Sequence, residues 1–330
     1  MRQRFLAWTT PLAFTFAGVL VTTPVGGQSR PVEASKWQAP RTPFGQPDLQ
    51  GIWSNATITP FERPPELAGK EFFTEPEAAE YEKKVVLEGN RDRRGDNADA
   101  DLKGAYNEVW FDRGAKVVPT LRTSLVVYPP DGKIPPLTPA AQRAAAARER
   151  IARRSPEGPE DLPLLVRCLV WPTVGPPMLP TAYNNNYQIL QGPGYVAILT
   201  EMIHDVRMIP LDGLPHIPVN IRQWLGDSRG RWEGKTLVVD TTNFTDKTNF
   251  YGSDANLHLT ERFTRFDENT ILYQFTVDDP TAFTSVWKGE VPLTKAPGPI
   301  YEYACHEGNY SMENMLKGAR AQEKAEKESK

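Results

Sequence analysis

Three glutamates, Glu201, Glu261 and Glu307, stand in runs whose alternate positions are otherwise apolar, the places where a carboxylate could move protons. An acid partly removed from water has its charged form disfavoured, which raises its pKa toward the range useful for general acid or base work. Histidines lie close to two of them: His204 follows Glu201 and His306 precedes Glu307. The catalytic set expected from the sequence is therefore Glu201, His204, Glu261, His306 and Glu307. The competing reading is structural, each acid pairing with an arginine such as Arg207, Arg231 or Arg262.

A second signal is aromatic. Trp53, Trp110, Trp171, Tyr183, Tyr187, Trp232 and Tyr303 stand near proline-rich turns, and Tyr183-Asn184-Asn185-Asn186-Tyr187 sets three amides between two phenols. Such residues can stack a sugar or aromatic ring and hydrogen-bond its substituents, although core packing and turn formation use the same types. Trp53, Tyr183, Asn185, Arg207, His258 and Arg262 are the expected ligand-binding residues. No metal site is expected, because His204, His216, His258 and His306 lie on four different runs without His-x-His or His-Glu-x-x-His spacing. No cofactor is expected either. The dinucleotide glycine fingerprint and the Walker loop are absent from the chain, and the strand pattern contradicts a hydrolase of the common α/β type.

Short β-prone runs must position these groups. They are Tyr187 to Leu190, Tyr195 to Met202, Val206 to Leu211, Arg229 to Glu233, Thr236 to Thr241, Leu257 to Phe266, Ile271 to Val277, Ser285 to Leu293 and Ile300 to His306. Gln191-Gly192-Pro193-Gly194, Glu233-Gly234 and Asp267-Glu268-Asn269 sit at the reversals. With no helix-length pattern between runs, except a short candidate at Val219 to Leu225, the strands should pair antiparallel with their sequence neighbours. A mainly β fold follows, a meander closing into a barrel over 168–310, since closure removes the edges of an open sheet. Alternation puts Leu257, Leu259, Glu261 and Phe263 on one face. It likewise groups Tyr195, Ala197, Leu199, Glu201 and Ile203, and Tyr301, Tyr303, Cys305 and Glu307.

Helices decorate both ends of the barrel. Thr74 with Glu77 three residues on is a capping box, and Thr138-Pro139 opens an alanine- and arginine-rich helix; both fall in a region, 47–167, expected to wrap the barrel. Residues 311–330 read as a charged C-terminal helix or tail. Met1-Arg2-Gln3-Arg4 and the apolar stretch to Val25 read as a secretory leader, cleaved before Gln28 and followed by a flexible linker over 28–46. Cleavage takes away Arg2 and Arg4 and no acid, moving the net charge from −3 to −5. An acidic chain lacks the basic footprint that nucleic acid requires, and no later run is long enough to remain in a membrane. The expected partner is a small molecule. In an oxidising compartment Cys168 and Cys305, the chain's two cysteines, are expected to form a disulfide; a catalytic thiol is the alternative.

The segment Gly226-Asp227-Ser228-Arg229-Gly230-Arg231-Trp232-Glu233-Gly234-Lys235-Thr236-Leu237-Val238-Val239-Asp240-Thr241-Thr242-Asn243-Phe244 resembles a group of uncharacterised secreted bacterial proteins. Asp48 to Asn55, His204 to Gly213 and Leu257 to Thr264 resemble the same group. The resemblance implies a periplasmic or secreted protein and transfers no mechanism. The strand arrangement alone is similar to the calycin or lipocalin type of barrel, an analogy of fold. The function expected is a periplasmic barrel holding a sugar-like or aromatic molecule, either as a cofactor-independent lyase, isomerase or hydrolase, or as a binding protein without turnover.

Overall fold

Alternation of buried and partly exposed residues, from His258 to Thr264 within His258–Arg265 and throughout Thr270–Asp278, makes these two runs the best-defined wall of the molecule. In the computed structural model, which describes residues 37–92, 97–99, 107–171 and 174–329, they pair antiparallel over eight positions, from His258 opposite Asp278 to Arg265 opposite Ile271. The leader and the first part of the linker lie outside the described residues. The end of the linker, 40–46, and the first residues of the ordered region fold back as a turn closed by a bridge between Arg41 and Pro47.

Eleven strands form one antiparallel sheet: β1 (Gly51–Ser54), β2 (Val126–Tyr128), β3 (Asn186–Gly192), β4 (Tyr195–Thr200), β5 (Val206–Pro210), β6 (Asp227–Glu233), β7 (Thr236–Thr242), β8 (His258–Arg265), β9 (Thr270–Asp278), β10 (Trp287–Glu290) and β11 (Leu293–Lys295). Their order is β5-β4-β3-β1-β11-β9-β8-β7-β6, with β10 pairing β9 and β2. The sheet curls into a nearly closed barrel. No ladder joins β5 to β6. That seam is held by side chains: Arg207 Nε donates to Ser228 Oγ at 2.9 Å, and Gly230 lies so close to Ile209 and Leu211 that a Cβ would meet them at 2.8 and 2.6 Å.

Three expectations need correction. First, the meander is interrupted, because β1 from the N-terminal region slots between β3 and β11. Second, Ile300 to His306 is not a strand. Pro297 and Pro299 have no amide hydrogens to continue a ladder after β11, and Cys305 is bonded instead to Cys168, with Cα atoms 5.8 Å apart. Third, the inward residues of β4 are Val196 and Ile198, not Tyr195, which is exposed. Val219 to Leu225 is an irregular loop.

The helices follow their caps. In α1 (Glu75–Gly89) the backbone N–H and hydroxyl of Thr74 both donate to Glu77 at 2.8 Å. In α2 (Pro139–Ala152) the Thr138 hydroxyl accepts from the Ala141 N–H at 3.2 Å. A charged helix, α3 (Tyr310–Glu328), ends the described chain. Among the described residues no helix is long and apolar enough to cross a membrane.

Candidate functional site

The barrel interior is packed. Trp53, Tyr187, Leu259, Phe263, Tyr273, Phe275 and Trp287 are almost completely buried, and Val174, Met178 and Leu179 from the preceding loop belong to the same core. Met178 N–H donates to Tyr273 Oη at 3.0 Å and Tyr187 Oη donates to the Val174 carbonyl at 3.3 Å, so both ends of that loop are fastened to wall residues.

Glu261 lies inside, as alternation along β8 requires, but it is fully engaged. Arg207 Nη1 donates to Oε1 at 3.0 Å, Tyr273 Oη donates to the same oxygen at 2.9 Å, and Arg207 Nη2 donates to Oε2. Burial and the neighbouring carboxylate push the Tyr273 phenol well above its ordinary range. Arg207, expected at a ligand, therefore completes a two-pronged buried ion pair that spans from β5 to β8.

Glu201 is also buried, by a different cause. The chain leaves β4 at Thr200 and turns through Ile203 and His204, both with positive φ, 62° and 52°. The turn tucks Glu201 beneath the segment after β11. Its carboxylate accepts from Asn186 Nδ2 at 2.8 Å and from the Tyr301 N–H at 3.2 Å. Neither glutamate has a histidine partner. His204 is exposed, its Nδ1 3.1 Å from the Tyr303 carbonyl. His306 and Glu307 are exposed as well, because the strand that was to turn Glu307 inward does not form.

The expected binding residues scatter. Trp53 is core, its Nε1 donating to the Leu49 carbonyl at 2.9 Å and the Arg265 guanidinium lying 4.5 Å from its ring centroid. Asn185 is buried and organises its own turn, accepting from the Thr181 N–H at 2.7 Å and donating to the carbonyls of Thr181 and Asp112. Tyr183 packs edge-on against Trp171. Arg262 pairs with Glu233 at the surface, 3.0 Å apart.

His258 has the surroundings of a site. On β8 it faces away from the core, and its Nε2 lies 2.7 Å from Oδ2 of Asp240 on β7. The other oxygen of Asp240 lies 2.9 Å from Nε2 of His216. Nδ1 of His216 in turn lies 2.8 Å from Asp227 on β6, which also accepts from Arg229 Nε at 3.2 Å and the Ile217 N–H at 3.2 Å. A continuous chain, His258–Asp240–His216–Asp227–Arg229, thus crosses three strands and the loop that precedes β6.

Its electrostatics are consistent from end to end. The hydrogen bond from His258, supported by His216, holds the Asp240 carboxyl down at about 2. The same bond from Asp240 raises the His258 pKa above its usual 6.5, with burial opposing and Asp278 assisting. Burial works against ionisation of Asp227, yet His216, the Ile217 N–H and Arg229 together hold its carboxyl below the ordinary range. Among the described residues, no three His, Cys, Asp or Glu side chains are arranged to hold a metal ion.

The chain opens onto an open groove of about 530 Å³, lined by Pro215 to Val219, Arg222, Thr242, Asn243 and Ala255 to His258. One rim is the 215–222 loop. Asn243 holds it in place, donating through Nδ2 to the carbonyls of Ile217, Pro218 and Ile221 at 3.0 to 3.1 Å, with its own φ at 60°. Asp240, His216, Asp227 and Arg222 were not among the residues expected from sequence. Parity could have found one of them: Asp240 and His258 occupy outward positions of neighbouring strands, with Asp240 opposite Thr260. The loop residues left no such signal, because no period governs a loop. In comparisons with family models, curated proteins and solved structures, no match was found for the chain.

Proposed function

We propose that this is an exported protein that takes a small organic molecule into the 215–222 groove and performs acid–base chemistry on it through His258, without a cofactor. One observation carries the reading. His258 lines an open, mainly apolar groove while Asp240 holds its Nε2, and His216 holds Asp240 in turn.

In that arrangement Asp240 fixes the orientation of the imidazole and stabilises its protonated form, leaving Nδ1 as the ring nitrogen for a ligand. A histidine whose pKa is raised donates its Nδ1 proton to one atom of the ligand near neutral pH and, as the neutral imidazole, removes a proton from another atom of the same molecule, the balance an isomerisation needs. Export is supported by the disulfide between Cys168 and Cys305, which persists in the periplasm or outside the cell.

A second reading, binding without turnover, is favoured by one feature: the His258 side chain is 44% exposed, and an open site does not exclude water from the reacting atoms. The two separate on a panel of small sugars, aromatic acids and hydroxy acids, scored by thermal shift for binding and by proton NMR for conversion. A catalyst loses conversion and keeps affinity in His258→Gln, whereas a binder shows no conversion in either form. If Val219→Trp, which fills the groove mouth, changed neither binding nor conversion of any compound, the groove would be the wrong place.

A further inference from the structure

The groove contains a cation without an acid. Arg222 lines it, and one nitrogen of its guanidinium is fixed: Nη1 donates to the Ala255 carbonyl at 2.7 Å and to that of Phe244 at 3.4 Å. Nε and Nη2 have no partner among the described residues. Several arginines of this chain meet carboxylates, Arg207 with Glu261, Arg229 with Asp227, Arg262 with Glu233 and Arg122 with Glu290, whereas Arg222, like Arg63 and Arg265, bonds carbonyl oxygens. Among the groove-lining side chains there is neither Asp nor Glu. Asp240 and Asp227 approach it only from behind the two histidines that they hold.

A guanidinium anchored by one nitrogen has lost much of its rotational freedom already, so less is lost when its remaining edge engages a ligand. That edge presents two N–H groups in a plane, the fork that matches the two oxygens of a carboxylate. Ile217, Val219 and Leu257 supply apolar surface in the same groove, which suits a hydrocarbon or aromatic body. A bare inorganic anion would gain nothing from that surface.

We infer that the ligand of this groove is a small carboxylic acid with an apolar body, its carboxylate held by Arg222 and its opposite end presented to His258. This rests on the groove being the binding site and goes further by assigning the chemical class and the residue that selects it. Arg222 is then the specificity determinant: it favours an anionic ligand over its neutral isostere in a protein whose net charge is negative.

The test uses the full chain labelled for NMR and two probes of equal shape, benzoate and benzamide, with phenyl phosphate and inorganic phosphate as further arms. Benzoate is expected to shift the amide signals of Val219, Asn256 and His258 saturably, and benzamide to bind at least tenfold more weakly. Arg222→Gln should abolish the preference and Arg222→Lys retain part of it. Because Arg222 also bonds two carbonyls, Val219→Glu serves as a second variant that leaves those bonds alone; it should weaken benzoate and spare benzamide. Equal binding of the two probes, or a preference unchanged in Arg222→Gln, would overturn the inference while leaving the groove a binding site. Tighter binding of phenyl phosphate or phosphate than of benzoate would overturn the carboxylate assignment. A groove that responds to no probe would overturn both the inference and the reading beneath it.

Discussion

Glu261 and His258 are three residues apart on β8 and face opposite sides of the wall, and the difference decides what each can do. Glu261 is sealed in with Arg207, whose charge has no other acidic partner there. Removing one member of a buried pair leaves the other uncompensated, so Glu261→Ala should cost about 3–5 kcal/mol. Glu261→Ala with Arg207→Met should cost clearly less than the sum of the single changes. Urea unfolding of the four proteins measures the coupling, and strict additivity would contradict a buried pair. His258 instead titrates. Its folded pKa is raised, so the stabilisation it contributes is complete below the unfolded value near 6.5 and disappears as pH rises through the folded value. Asp240 acts in the opposite sense: its contribution is present above 3.8 and is lost as pH falls toward about 2. The pair therefore operates between those limits, and Asp240→Asn should bring the His258 titration, followed by its ring proton signals, down toward or below 6.5. An unmoved midpoint would show that Asp240 is not what raises it. Parity alone placed Glu261 inside and His258 outside. What it could not supply was the partner of each, because Arg207 meets Glu261 across an unpaired seam and His216 reaches Asp240 from a loop.

Among the elements, β8 and β9 were readable because alternation and turn residues agreed along them, as on Leu259, Glu261 and Phe263. Where the two signals parted, the reading failed. The run from Ile300 has β-prone residues, but the prolines before it and the covalent tie at Cys305 take it out of the sheet. β1 was visible only as the start of order, since the pairing of a four-residue strand with partners far along the chain leaves no local trace. Close approach at the seam between β5 and β6 depends on one small residue, Gly230, beside the Arg207–Ser228 hydrogen bond. Gly230→Val would drive a side chain into Ile209 and Leu211, and overpacking of this kind costs about 1–3 kcal/mol. The loss should be accompanied by faster amide exchange on β5 and β6 while β8 and β9 remain protected. A uniform loss of protection across the sheet would mean that the seam is not a separate weak point.

At the scale of the whole molecule, the N-terminal half, the barrel and α3 are tied together where Cys168 meets Cys305, 137 residues apart in sequence. Around that tie Asn309 Nδ2 donates to the Val166 carbonyl at 2.9 Å and to Cys168 Sγ at 3.4 Å, and Arg320 donates to the carbonyls of Glu157 and Pro156 at 3.0 and 2.6 Å. The segment from Pro297 to α3 otherwise contributes no strand to the sheet, and α3 buries little beyond Ala319. Its attachment therefore rests on the disulfide, on the Tyr301 N–H donated to buried Glu201, on partial packing of Tyr303 and Cys305 against the core and on polar contacts at the surface, while the barrel rests on its ladders and apolar core. Closing so long a loop removes unfolded-state freedom amounting to about 2–5 kcal/mol. Cys168→Ala with Cys305→Ala should lower the unfolding free energy by that amount. Because the tie and the ladders are separate, the loss should begin at the C-terminal end. Limited proteolysis of the double variant should cut first between Lys295 and Asn309, releasing α3 and leaving the barrel resistant. A cleavage pattern identical to that of the oxidised protein would show that the other contacts alone hold the C-terminal segment in place.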